Sequence, residues 1–382
     1  MQTILLAPDS FKGTLSSQEI CALMTPVILR HFPSCTVRSI PVADGGEGST
    51  DCFLAAMDGR KIHTRAAGPW FDEIDSFYGL VDGGRTAVIE MAAAAGLPLA
   101  ERCAKRRCDP SATTTLGVGE LVRHALAQGA TKLILGLGGS ATNDGGCGFA
   151  HALGARFWDR DGREFIPVGA TLEQIARMDL SGAERTLSGA ALTVMCDVDN
   201  PLLGEHGAAH TFGPQKGADP DMVRRLDRAL AHLARVSGET AKAETPGAGA
   251  AGGLGFMAML LGGRMRPGIE TALDAVGFDA LLKDAGLVFT GEGRIDGQSL
   301  RGKAVLGVAR RAQRQGVPVI AVVGDALDEG LDEVYAQGVT AVVTTNRRAV
   351  PFEQARLTAR QDLTYTMENL LRTLRIQFPG GN

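Results

Sequence analysis

The stretch GLGGSATNDGG (136–146) sets Ser140, Thr142, Asn143 and Asp144 among five glycines, directly behind the apolar run 133–135. Glycine costs conformational entropy on folding, so a cluster of it marks backbone with a special task. Exposed backbone N–H groups beside a Lys suit an anion, and several Asp suit Mg2+. Five further clusters have a similar make-up: APDSFKGTLS (7–16), PVADGGEGS (41–49), CDVDNPLLG (196–204), FGPQKGA (212–218) and TGEGRIDGQSLRGK (290–303). A lone cluster of this kind is more often an ordinary turn, because Asp-Gly and Asn-Pro pairs are turn chemistry. Four of these, however, directly follow an apolar run, and ligands of open α/β sheets bind at that end of the strands. A phosphate ligand accompanied by a metal ion answers backbone N–H, Lys and Asp together.

The elements that must carry these clusters alternate between strand and helix. Residues 3–7 and 37–42 read as strands, with a helix over 16–30 behind a Ser cap and another over 49–57. Residues 77–81 and 86–91 read as a hairpin around Asp82-Gly83-Gly84, followed by a helix over 115–128 and strands over 132–137 and 191–196. The last third regains strict alternation, with β-rich, nearly continuous apolar runs at 287–290, 317–323 and 339–344, as in a doubly wound parallel sheet. The two ends share this character and the middle does not. We therefore expect an α/β protein of two domains: 1–66 plus 286–382 forming one parallel sheet, and 67–285 inserted as a second domain. The active site is expected in the cleft between domains, closing over substrate to exclude water.

Two motifs look like nucleotide signatures and lack the context for it. GAGAAG (247–252) matches G-x-G-x-x-G but follows AKAETP, which is no buried strand. GQSLRGKA (297–304) is one residue short of a P-loop, with Ala304 where the Ser or Thr that ligates Mg2+ would stand.

Composition narrows the class. At 382 residues the chain exceeds what one core usually serves, and its 21% charged and 45% apolar residues are those of an ordinary globular protein. The net charge of -4 without a Lys/Arg-rich run argues against nucleic acid. Seven scattered Cys (21, 35, 52, 103, 108, 147, 196) without C-x-x-C indicate neither zinc nor a disulfide framework and suit a reducing cytosol. The N-terminal MQTILLAPDS has no basic leader, and the apolar run near 254–261 is too short to span a bilayer, so a cytoplasmic protein without a membrane partner is expected.

Taken in order, APDSFKGTLS, PVADGGEG, GLGGSATNDGG, CDVDNPL, FGPQKGA, GAGAAGGLGF and TGEGRIDGQS resemble the bacterial glycerate kinase family, the type that forms 2-phosphoglycerate. The resemblance runs from residue 4 to about 346. It implies two α/β domains, one flavodoxin-like and one resembling a restriction-endonuclease core, with ATP, Mg2+ and D-glycerate as ligands and a homodimer as the assembly it allows. With phosphoryl transfer as the chemistry, backbone N–H groups around Gly138, Gly139 and Ser140 are expected to hold ATP phosphates, with Asn143 nearby. Ser10, Lys12 and Lys216 are the candidates for pairing with carboxylate or phosphate; a solvated surface lysine is the rival reading of Lys12. Asp197 is expected to orient the glycerate hydroxyl and accept its proton. Ser10, Asp296 and Glu292 are assigned to substrate, and Asp44 and Asp144 to Mg2+; a helix cap is the rival role of Asp144. Kinase action on another small hydroxy acid, and a non-catalytic sugar-acid or nucleotide sensor, are the alternatives. A pure anion binder gains nothing from so many carboxylates unless Mg2+ or proton transfer is involved.

Overall fold

The computed structural model describes residues 3–42, 45–46, 48–102, 108–295, 304–328 and 330–376. Its strands, in chain order, are β1 (Thr3–Pro8), β2 (Thr36–Ser39), β3 (Gly59–Ala67), β4 (Glu73–Val81), β5 (Thr86–Glu90), β6 (Lys132–Gly136), β7 (Arg156–Trp158), β8 (Arg177–Asp179), β9 (Ala191–Met195), β10 (Arg264–Arg266), β11 (Ala285–Gly291), β12 (Arg294–Ile295), β13 (Val319–Val323), β14 (Asp325–Ala326) and β15 (Ala341–Thr344). The chain divides into two compact units, Met1–Ala43 with Ile269–Asn382, and Asp44–Gly268.

The unit built from both chain ends holds a five-stranded sheet in the order β15-β13-β11-β1-β2, parallel throughout. Ile4 and Val319 stand in this one sheet, with β11 between their strands. Every residue of β13 is buried, because helices cover both faces of a parallel sheet. Ile4, Leu6, Leu287, Phe289, Ile320 and Val322 pack on one face with Ile20 and Met24 of the helix Ser17–His31 and Leu363, Met367 and Leu371 of the helix Phe352–Leu374. The alternate residues Leu5, Val288 and Ala321 are buried on the other face, where the helix Ala304–Arg314 meets the sheet. Ser16 and Glu19 form a reciprocal capping box at the start of Ser17–His31. β2 is shorter than the run 37–42 suggested, although Ile40 N–H and Val42 N–H still donate to Leu6 O and Pro8 O.

The other unit carries a six-stranded mixed sheet in the order β10-β9-β6-β5-β4-β3. β3, β4 and β5 are antiparallel neighbours, whereas β5, β6, β9 and β10 run parallel. Its compact boundaries fall at 43/44 and 268/269, not at the 66/67 and 285/286 expected from sequence. β3 pairs along its whole length with β4, which draws residues 59–66 into this sheet. Its sequence GRKIHTRAA reads as solvated chain because it forms an exposed edge. At the other boundary Arg311 bonds Glu270, Asp274 and Asp279, which ties the helices Gly268–Ala275 and Phe278–Leu282 to Ala304–Arg314.

GAGAAG opens the helix Ala250–Leu260, with Ala251, Gly252 and Gly253 in the left-handed region and no strand before it. The near-P-loop 297–303 lies outside the described residues. Among the described residues no helix is long and apolar enough to cross a membrane, and the six described cysteines are free thiols.

Candidate active site

Most of the expected residues that are described lie on loops that leave the C-terminal ends of parallel strands, one group in each unit. In the unit of the chain ends they surround the junction of β1 and β11, the strands on either side of which the connections diverge to opposite faces. Asp9 N–H donates to Gly291 O at 2.8 Å, and Thr290 Oγ1 donates to Ala7 O at 2.9 Å. Beyond Asp9 the chain curls back on itself. Ser10 N–H donates to Asp9 Oδ1 at 2.6 Å, and Phe11 N–H donates to Leu15 O at 2.8 Å around Gly13, whose φ is +80°. A Cβ on Gly293 would lie 3.3 Å from Lys12 N, so the loops after β1 and β11 are close neighbours. This brings half-buried Ser10, exposed Lys12 and buried Glu292 to one strand edge. Asp296 lies outside the described residues. A topological switch point of this kind is where doubly wound sheets bind ligands.

In the inserted unit the loops leaving β6 and β9 lie against the Gly45–Gly46 turn. Gly138 N–H donates to Gly45 O at 3.1 Å, and Leu137 N–H donates to Met195 O at 3.3 Å. A Cβ on Gly138 would lie 2.5 Å from Gly46 Cα, and one on Gly136 would lie 2.4 Å from Gly45 O. These glycines therefore allow backbone to pack on backbone. The Gly138 N–H, expected to meet phosphate, is taken by Gly45. The N–H groups of exposed Gly139 and half-buried Ser140 donate to no other backbone group among the described residues, so of the three N–H groups expected to meet phosphate only that pair keeps its donors open to one. Asp44, expected beside Mg2+, lies outside the described residues.

Asp144 is completely buried. Its carboxylate accepts from Thr115 N–H and Thr115 Oγ1, each at 2.8 Å, from Gly146 N–H at 3.0 Å and from Gly148 N–H at 3.2 Å. This geometry favours the helix-anchoring role at Cys147–Ala152 over a metal ligand. Burial pushes its pKa up, against the pull of those hydrogen bonds. Among the described residues no three His, Cys, Asp or Glu side chains are grouped to hold a metal ion. Asn143 is likewise buried.

Lys216 is 1% exposed, and its Nζ donates to Thr142 O at 2.7 Å. Desolvation pushes its pKa down to about 7, opposed by the charges of Asp144 and Cys108. It is thus a clamp on the glycine loop and not an open anion contact. Asp197, one residue beyond Cys196 at the end of β9, is exposed, and its Oδ1 accepts from Gly268 N–H at 2.8 Å.

Glu90 escaped the reading of the sequence. It ends β5 at 2% exposure and accepts from Gly48 N–H at 3.0 Å and Thr50 N–H at 2.6 Å. A strand residue 40 positions away thereby caps the helix Ser49–Ala56 and fixes the end of the ADGGEG loop. Its signal was a lone acid closing the apolar strand TAVIE. Burial raises its pKa, and the two backbone hydrogen bonds oppose that shift.

Residues 4–375 match the Glycerate kinase family. The chain belongs to the glycerate kinase family. It is 43% identical over 378 residues to a glycerate kinase of Bacillus subtilis (strain 168), with 98% of each chain covered. It is 40% identical over 377 residues to the glycerate 2-kinase of Escherichia coli (strain K12), again with 98% of each covered. A crystal structure of a Salmonella typhimurium LT2 protein assigned as glycerate kinase 2 superposes with a TM-score of 0.86 at 40% identity, covering 98% of both chains. As a glycerate kinase family member, the chain therefore carries its glycine-rich loops on a mixed α/β fold shared along its whole length.

Proposed function

We propose that this protein transfers the terminal phosphoryl group of ATP to D-glycerate, giving 2-phosphoglycerate and ADP in organic acid catabolism. The observation that carries this reading is the whole-chain relationship, 40–43% identity over 98% of the sequence, to proteins named glycerate kinase and glycerate 2-kinase. The loop geometry supports it. Phosphoryl transfer requires an in-line nucleophile and neutralised charge more than covalent help. The Gly139 and Ser140 N–H groups meet phosphate oxygens. Asp197 orients the attacking hydroxyl and takes its proton as the new P–O bond forms, and the electron pair of the breaking P–O bond leaves with ADP. Lys12 offsets charge on the moving phosphoryl group, and Ser10, Glu292 and Asp296 contact substrate.

Asp144, with both oxygens engaged, does not fit a Mg2+ ligand. We keep Asp44 for that role, because Mg2+ is usually held by one or two carboxylates, phosphates and water, not by an all-protein cage. We further read the unit of the chain ends as flavodoxin-like, supported by its strand order 2-1-3-4-5, and the inserted unit as restriction-endonuclease-like. Homodimeric assembly belongs to the same reading.

Coupled ADP release across a panel of hydroxy acids is the test. Turnover that peaks on D-glycerate supports the assignment, a peak on another acid replaces the substrate, and no ADP release with any of them leaves the sensor.

A further inference from the structure

Thr142 and Asn143 are fully buried in the middle of the glycine loop. Their backbone is gripped from several sides. Lys216 Nζ donates to Thr142 O at 2.7 Å, and Thr113 Oγ1 donates to Ala141 O at 2.9 Å. Gly252, in the left-handed region at φ +66°, approaches so closely that a Cβ there would lie 2.0 Å from Thr142 O and 2.5 Å from Asn143 Cα. Gly145 N–H donates to Gly252 O at 3.0 Å. On the next residue, Asp144 collects the donors of Thr115, Gly146 and Gly148.

Within this rigid frame Thr142 Oγ1, Asn143 Oδ1 and Asn143 Nδ2 have no hydrogen-bond partner among the described residues. Buried polar groups are nearly always paired, and an unmet one costs the full desolvation of that group. Three such atoms on adjacent residues point to a partner that arrives from outside the chain. Their chemistry limits what that partner is. An amide oxygen only accepts, and an ionised phosphate brings no proton to give it. A hydroxyl group both donates and accepts, and so satisfies the amide and the threonine alike.

We propose that Thr142 and Asn143 hold the hydroxyl groups of the hydroxy-acid substrate and set the preference among such acids, with Lys216 as the positioning residue behind them. The inference rests on the kinase reading above and moves Asn143 from nucleotide to acceptor. It also explains why the loop is so firmly held: a site built to hydrogen-bond a substrate hydroxyl discriminates strongly against an analogue that lacks it.

The test uses the full-length protein and reads the Michaelis constants for D-glycerate and ATP separately. Wild-type ADP release with D-glycerate checks the kinase reading on its own. Thr142→Val and Asn143→Ala should each raise the glycerate constant by about tenfold or more, the loss of roughly one hydrogen bond, and leave the ATP constant nearly unchanged. Lys216→Met should move the same constant in the same direction. Thr142→Val should also narrow the preference for D-glycerate over D-lactate, which lacks the 3-hydroxyl. Hydrogen exchange of the wild-type protein gives a readout that needs no variant: D-glycerate alone should protect residues 140–146. A shift confined to the ATP constant, or protection that appears only with nucleotide, makes the nucleotide the occupant and overturns the proposal. Unchanged constants and no protection by glycerate mean an internal water fills the site, which overturns it as well.

Discussion

The Asp144 carboxylate accepts two hydrogen bonds from a single residue, Thr115, through its N–H and its hydroxyl, each at 2.8 Å. Thr115 Oγ1 in turn accepts from Phe149 N–H at 2.9 Å, so the two side chains bind the entry of the helix Leu116–Ala127 to that of Cys147–Ala152. Replacing Asp144 by Asn turns one accepting oxygen into a donor that faces donors. Destabilisation of roughly 1–3 kcal/mol is expected from the stranded groups, or a fall in Tm of about 2–12 °C for a unit of this size. Turnover per folded molecule should survive. An Asp144→Asn protein with the parent's Tm and lost turnover would instead make Asp144 a functional ligand.

Lys216 predicts a pH dependence of stability. Its folded pKa, about 7, lies below the ordinary lysine value of 10.5. Between those values the unfolded chain binds the proton and the folded one does not, so this group makes stability rise with pH above about 7. Below pH 7 both states are protonated and the full cost of burying the ammonium remains. Tm measured from pH 6 to 9 for the parent and for Lys216→Met should show a difference that shrinks or changes sign as pH rises, in favour of the parent. A constant difference rules the buried ammonium out as its origin.

Asp197 is the exposed carboxylate at the end of β9, and its removal should affect chemistry more than folding. Turnover of Asp197→Asn should fall by roughly 10²–10⁴-fold, the range for loss of a general base, with Tm within a few degrees of the parent. Turnover kept within about threefold would remove Asp197 from the chemical step.

Glu90 holds the ADGGEG loop through Gly48 and Thr50. Glu90→Ala should leave the half-buried Gly48 N–H and the buried Thr50 N–H without their acceptor, at a cost of roughly 1–3 kcal/mol, and should lower turnover even where the protein is fully folded. Glu90→Gln keeps one acceptor and should recover part of both losses. The comparison needs Tm and turnover for the two variants side by side; equal loss in both would exclude capping as the role of Glu90.

The residue order alone determined the parallel strands and the glycine-rich loops that follow them. β1, β11 and β13 are legible because burial on both faces leaves a continuous apolar run, and the glycine clusters stand out because they interrupt such runs. Those are local signals. β3 escaped because an exposed edge strand carries no apolar signature, and with it went the boundary between the units. The state of the polar residues was decided only in three dimensions. Lys216 and Lys12 look alike in sequence, yet one is 1% exposed and the other lies in solvent. Gly138 N–H is taken by Gly45, 93 positions away, while Gly139 N–H donates to no backbone group among the described residues. Asp144 became a hub through Thr115, and Glu90 became a cap through Thr50, because hydrogen-bond partners are assigned by the packing of distant segments and not by the order of residues along the chain.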